Sequence, residues 1–187
     1  MLVSPVVEKG VVSIYGVSDR RSDARARVSA RLIDFSGNVL NRFDQDVTLA
    51  ANASRAYMTF KDRDILKGAD PAKVVLVAEL TADGAPGPIT SRNLLFFKKT
   101  KDLELPKTAI KLAVAPGTNG ALAVTVSAKQ LARNVFLASG AVDGFFEDNY
   151  FDLLPGETVT VSFRPRAPTT PAALQAALTA TTIADTY

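Results

Sequence analysis

The sequence predicts an all-β protein built as two consecutive β-sandwiches, with at most short helical turns. Three observations predict it. Val, Ile, Thr, Phe and Tyr recur in short runs punctuated by 11 Gly and 10 Pro, a composition that suits pleated, half-buried strands. No long stretch carries a helical period, so long amphipathic helices are not expected. A charged, proline-ended segment, KKTKDLELPK from Lys98 to Lys107, interrupts the pattern near mid-chain and reads as a domain boundary.

The start, MLVSPVVEKGVVSIYG, reads as Met placed directly on a strand. Met1 is expected to be an added start, with the natural chain continuing upstream. No basic segment leads into an apolar one, so this is not a signal peptide. Val11 to Val17 is the next strand, followed by the polar loop SDRRSD. Ala26, Val28, Ala30 and Leu32 then alternate with Arg25, Arg27, Ser29 and Arg31, the period-two signature of a strand with one buried face. Phe35 to Asn38 turns the chain and Val39 to Phe43 returns as a hairpin partner. Further strands are expected at Asp46–Ala50 and Arg55–Phe60. A single helical turn from Asp62 should end at Gly68. Val74 to Leu80 is apolar throughout, which fits a central strand buried on both faces. The loop TADGAPGP leads to a strand from Ser91 to Lys98.

The second half restarts the alternation. Ile110 and Leu112 begin it, APGTNG turns the chain, and Leu122, Val124 and Val126 share a face. Val135 to Leu137 precedes an aromatic corner, GFFEDNYFDLLPGE, running from Gly144 to Glu157. Val159, Val161 and Phe163 then share one face of a strand, Thr160 and Ser162 the other. Thr170 and Pro171 open a short helix as N-cap and first residue. A strand from Leu178 to Ala184 closes the chain. The count is about seven strands before the boundary and about six or seven after it, the density of immunoglobulin-like sandwiches. The expected division is residues 1–100 and 108–187 as two such sandwiches, with 101–107 as linker.

Composition bounds the chemistry. Hydrophobic residues make up 47% of the 187, enough for packed cores. There is no His, Cys or Trp. Without His there is no Ser-His-Asp or Cys-His machinery. Without Cys or His the usual zinc sites are excluded, and disulfides are impossible. The net charge of +3 is weak reason to expect a nucleic-acid partner. No run of about 18 apolar residues spans a membrane. No cofactor or metal site is assigned.

Four carboxylates, Asp143, Glu147, Asp148 and Asp152, surround the aromatic corner. A pair about 5–5.5 Å apart could run retaining glycoside hydrolysis, but that chemistry needs an enclosing cleft. The reading preferred here is loop capping through Asx-type bonds. The stretch EDNYFD supplies hard oxygen ligands but lacks the spacing and glycine of an EF-hand loop. Tyr15, Tyr57 and Tyr150, with Tyr187, are the candidate sugar-stacking residues; Phe145, Phe146 and Phe151 are expected in a core or interface. Tyr150 could instead tie the corner through its hydroxyl, as tyrosine corners do. Arg20, Arg21, Arg25, Arg27 and Arg31 form a basic cluster without interleaved aromatics. It suits a solvated face, or a surface docking on an acidic domain, better than nucleic acid. Lys98, Lys99 and Lys101 suit edge protection.

Three stretches resemble a known family: LVSPVVEKGVVSIYGVSDR (residues 2–20), SRNLLFFKKTKDLELPKTAI (91–110) and VTVSAKQLARNVFLASGAVDGFFEDNYFDLLPGETVTVSF (124–163). LARNVFL, the Asp148-Asn149-Tyr150-Phe151 run and the LLPGE turn carry most of the likeness. The chain resembles the C-terminal immunoglobulin-like domains of a glycoside hydrolase family two β-mannosidase. The resemblance implies a modular parent whose (β/α)₈ barrel removes β-linked mannose from non-reducing ends with retention, using two barrel glutamates. Neither glutamate falls in this sequence, so none of Glu8, Glu79, Glu104, Glu147 and Glu157 is assigned that role. The implied function is a non-catalytic accessory region whose partner is the rest of the parent enzyme. The competing readings are a carbohydrate-binding module for mannan or N-glycan, touching manno-oligosaccharide through Tyr15, Tyr57 and Tyr150, and an unrelated adhesion sandwich.

Overall fold

The computed structural model describes residues 1–84 and 86–186. The chain forms two compact units: Met1–Asp34 with Asn38–Glu104, and Phe35–Gly37 with Leu105–Tyr187. Tyr187 and the Ala85 position of the TADGAPGP loop lie outside the described residues.

In the first unit, β1 (Leu2–Glu8), β2 (Val11–Ser18) and β5 (Ala53–Lys61) form a three-stranded sheet in the order β1-β2-β5. The second sheet runs β4-β3-β6-β7, from β3 (Ala24–Asp34), β4 (Val39–Leu49), β6 (Val74–Ala82) and β7 (Ile89–Phe96). Every pairing is antiparallel. The β1–β2 hairpin closes on Lys9 and Gly10, both at positive φ (49° and 75°); the right-handed strand twist favours such a turn in a two-residue loop. The alternation seen in β3 becomes real geometry. Ala26, Val28, Ala30 and Leu32 face the core, while Arg25 and Arg27 face water. Val12, Ile14, Leu49, Leu76 and Leu80 complete that core, each worth about 1.5–3 kcal/mol when fully removed from water. β6 is buried from Val74 to Ala78, as an interior strand with both faces covered should be.

Val39–Phe43 and Asp46–Ala50, expected as separate strands, are one continuous β4. The polar Asp44-Gln45-Asp46 run sits on an edge strand, where every residue from Asn41 to Leu49 keeps its partner on β3. The turn α1 (Asp62–Leu66) carries Asp62 and Asp64 at its positive end and buries Ile65. Its left-handed stop is Lys67 (φ 47°), whose N–H reaches Arg63 O at 3.0 Å; Gly68 follows at φ 85°. The buried Asn41 amide caps the same end, donating to Ile65 O at 3.0 Å.

In the second unit, β8 (Ile110–Pro116), β9 (Leu122–Ala128), β11 (Gly144–Phe146) and β13 (Thr158–Pro165) form one sheet in the order β11-β13-β9-β8. β10 (Ala132–Ala138), β12 (Phe151–Leu153) and β14 (Thr179–Thr181) form the other, in the order β12-β10-β14. Leu122, Val124, Val126, Val161 and Phe163 fill the space between them. The Phe163 ring is fully buried, its centroid 4.9 Å from that of Phe146. The helix α2 (Pro171–Ala177) starts as the sequence predicts: Thr170 Oγ1 accepts from Ala173 N at 3.2 Å and Pro171 is its first residue. Gln175 on that helix accepts from Val114 N (2.9 Å) and donates to Leu112 O (3.4 Å), so α2 covers the edge of β8. The expected Leu178–Ala184 strand is only Thr179–Thr181. After it Asp185 accepts from both Thr182 N (2.7 Å) and Thr182 Oγ1 (2.8 Å), curling residues 183–186 into a 3₁₀ turn.

Candidate functional site

The aromatic corner is held by side chains standing in for backbone. β10 and β12 pair at Ala132–Leu153 and Val135–Phe151, with a bulge between. Asn134, at the bulge, is left-handed (φ 51°), and its N–H is taken by Asp152 Oδ1 at 2.8 Å. Beyond Phe151 the ladder continues through Tyr150 N to Val135 O (2.8 Å). It then passes to the Asn149 amide, which accepts from Leu137 N (2.7 Å) and donates to Leu137 O (3.0 Å). Asp148 Oδ1 accepts from Asn149 N (2.8 Å), and Glu157 Oε2 caps Leu154 N (2.9 Å). Asp143 pairs with Arg166 at 3.6 Å. These acids hold loops, each by a bond to backbone or to one cation.

Tyr150 does not tie the corner through its hydroxyl. The Asn149 amide does that work, and Tyr150 occupies the left-handed region (φ 63°) with its side chain 65% exposed. That conformation costs a non-glycine residue about 1–2 kcal/mol. Its ring lies against Phe136, centroids 5.0 Å apart and planes within 26°, a contact worth about 0.5–1.5 kcal/mol. Phe136, outward on β10, was not singled out in the sequence. Phe145, expected in a core or interface, is 58% exposed beneath the Arg166 guanidinium at 4.9 Å. Its inward neighbours on the strand ladder, Gly144 and Phe146, already fill the space around Phe163. Phe146 and Phe151 do pack on the second core.

Tyr15 and Tyr57 belong to the first unit. Tyr15 is half-buried on the outward face of β2. Tyr57 is the extra residue of a bulge opposite Ile14 and Tyr15. Its ring packs inward over Gly16, where an added Cβ would lie 2.9 Å from it, and its hydroxyl accepts from Ala50 N at 3.0 Å. The fold therefore gives these two rings opposite faces of one sheet.

Arg27 and Arg31 of the β3 arginine stripe are answered within their own sheet. Arg27 lies 3.8 Å from Asp44 and 3.6 Å from Asp46, and Arg31 bonds Glu79 at 3.0 Å. Arg42 grips Asp44 with two bonds, 2.6 and 3.1 Å. That hydrogen bond, helped by the Arg42 and Arg27 charges, holds the Asp44 carboxyl below the usual carboxylate range. Lys73 is pushed above its ordinary range by its bond to Glu104 at 3.1 Å. A groove of about 600 Å³ beside the stripe carries both signs, from Arg25, Arg27, Asp46 and Asp83. The outward face of β1-β2-β5 contrasts with it. By register it presents Leu2, Ser4, Val6, Ser13, Tyr15, Val17, Ala56 and Thr59, with Glu8 and Lys61 only at one end. Among the described residues no cluster of three or more acids could hold a metal ion, and no helix is long and apolar enough to cross a membrane.

Comparison with known proteins accounts for both halves. Residues 10–102 match the family model of a mannosidase Ig/CBM-like domain, and residues 105–186 match that of the Ig-fold domain Ig_mannosidase. A β-mannosidase from Capra hircus is 29% identical over 186 residues, covering 96% of this chain and 21% of that protein. Among solved structures, β-D-mannosidase from Dictyoglomus thermophilum superposes with a TM-score of 0.73 at 21% identity, over 97% of this chain and 21% of its own. The Amycolatopsis orientalis exo-chitosanase follows at 0.55 and 14% identity, over 96% of this chain and 25% of its own. The chain thus spans about a fifth of the length of the mannosidases it matches.

Proposed function

We propose, for a chain that carries the paired C-terminal immunoglobulin-like domains of a β-mannosidase-like glycoside hydrolase, a non-catalytic accessory role. Residues 1–100 and 108–187 are its domains and 101–107 its linker. They pack on the catalytic barrel of the same enzyme and fix its geometry. One observation carries this reading: both halves match mannosidase-type sandwich models while covering only a fifth of each mannosidase. The chemistry of the corner supports it, since Asp148, Asp152 and Glu157 each accept from a backbone N–H and so hold the loops. The surface best suited to packing is the outward face of β1-β2-β5. It can lose water without stranding charges, whereas burying the β3-β4 face would mean desolvating Arg27, Asp44 and Asp46.

The test is reconstitution. A β-mannosidase cut back to remove the region this chain matches is assayed for thermal inactivation with and without the purified chain. Slower inactivation with the chain present, lost when Val6→Lys and Ala56→Glu are introduced, is the expected outcome. An inactivation rate indifferent to the chain contradicts the packing role.

A further inference from the structure

We propose that Asn119 is a self-modification site: the backbone nitrogen of Gly120 displaces its side-chain amide, and the residue passes to aspartyl and isoaspartyl forms at a rate set by Arg164 and Glu147. This goes beyond the accessory role and does not rest on it.

The pair sits at the tip of the hairpin that joins β8 to β9. Of the seven asparagines only Asn119 precedes a glycine. Both residues are left-handed, Asn119 at φ 52° and Gly120 at φ 77°, the backbone that Asn-Gly favours in a tight turn. The turn is closed by Gly117 N–H to Ala121 O (2.9 Å) and Ala121 N–H to Thr118 O (3.0 Å). Gly120 N–H takes no part in either bond. Both residues are exposed, and a Cβ added at Gly120 would meet nothing within 4 Å. The attacking nitrogen is therefore unhindered and held by no acceptor of the turn.

Turn chemistry accounts for the choice of Asn and Gly. It does not account for the charges set against them. Asn119 and Thr118 line a pocket of about 250 Å³ together with Ser162, Arg164 and Glu147. Ser162 and Arg164 come from β13. Glu147 follows β11 and is fixed by its own N–H, which donates to Ser162 O at 2.8 Å. Among the described residues neither the Glu147 carboxylate nor the Arg164 guanidinium has an ion-pair partner. Glu147 is thus an acid of the corner that the fastening of the loops does not use.

The reaction consumes only water. Gly120 N attacks Cγ of Asn119 while its proton passes to solvent. The Cγ–Nδ2 bond breaks and ammonia leaves, which closes a five-membered succinimide. Water then opens the ring at either carbonyl. Opening at Cγ gives an aspartyl residue; opening at the backbone carbonyl gives an isoaspartyl residue, whose chain runs through Cγ. Ring closure needs the turn to open, and an exposed hairpin tip opens at little cost. Negative charge develops on the attacking nitrogen and the amide oxygen, and a carboxylate remains at the end. Arg164 favours both and Glu147 opposes both.

The experiment holds the full chain for days at mildly alkaline pH and maps its peptides by mass spectrometry, with chromatography separating the aspartyl and isoaspartyl products. Asn52 is the internal control, exposed and left-handed at φ 46° but followed by Ala53. Conversion at Asn119 should run about tenfold faster than at Asn52 or more, because glycine leaves the nitrogen open to approach. It should be roughly two- to fivefold slower in Arg164→Gln and faster by about the same factor in Glu147→Gln, the size of an exposed charge interaction. Both differences should vanish in urea, which separates the turn from β13. Both side chains are exposed, so each variant should keep the wild-type circular dichroism. Conversion at Asn119 no faster than at Asn52, or a folded-state rate indifferent to either substitution, overturns the proposal. None of these outcomes bears on the accessory role, which is read from the thermal inactivation of the truncated enzyme.

Discussion

The side-chain amide of Asn149 pairs with the backbone of Leu137 as a neighbouring strand would, accepting its N–H at 2.7 Å and donating to its carbonyl at 3.0 Å. Leu137 is a core residue of the second unit, so both groups would otherwise be left without partners beside an apolar interior. Asn149→Ala is expected to destabilise that unit by about 1–3 kcal/mol, the cost of unsatisfied buried polar groups. Urea unfolding followed through signals of the second unit measures it. Asn149→Asp keeps the acceptor but loses the donor, and should also destabilise.

Phe163 fills the middle of the second core and touches Phe146. Phe163→Ala should cost about 3–5 kcal/mol. A loss below about 1 kcal/mol in the same unfolding experiment would place the ring outside the core.

In the first unit, Gly16 lies beneath Tyr57 and Leu49, whose nearest atoms would sit 2.9 and 2.8 Å from an added Cβ. Gly16→Ala is expected to lower stability by about 1–3 kcal/mol through overpacking. Tyr57→Phe removes only the bond to Ala50 N, and should cost about 0.5–1.5 kcal/mol. Thermal melts of the two variants give the comparison.

Asp44 has a folded-state carboxyl held below its ordinary value by Arg42. A depressed carboxylate contributes stability above its unfolded value of about 3.9, and the contribution is lost as pH falls through the lower folded value. Arg42→Met should remove this share of the acid dependence while leaving neutral-pH packing intact. The Asp44 carboxyl carbon, followed by NMR from pH 5 to pH 2, should titrate below the ordinary range in the parent and closer to it in the variant.

Most of the strand framework was legible in the sequence because alternation is a local signal. β3 and β9 bury the residues their patterns name, β13 buries Val161 and Phe163 and half-buries Val159, and Thr170-Pro171 opens α2. What escaped was decided by partners distant in sequence. β4 stays whole through Asp44-Gln45-Asp46 because β3 pairs with it throughout, which no window around residue 45 reveals. The last strand stops early because Asp185 turns back on Thr182. At the corner, the carboxylate capping was foreseen in kind, but the fastening residue is Asn149 rather than Tyr150. Phe136 was within reach: with Val135 and Leu137 inward, the residue between them must face out. Its stacking on Tyr150 depends on a positive φ that no pattern of residue types announces.

On the proposed function, these two sandwiches serve a hydrolase without performing the hydrolysis. The direct measurement is release of p-nitrophenol from p-nitrophenyl β-mannoside by the purified 187-residue chain. The account predicts no release above the buffer rate at any chain concentration. Release proportional to chain concentration, and abolished by substituting a carboxylate of the corner such as Glu147→Gln, would contradict it.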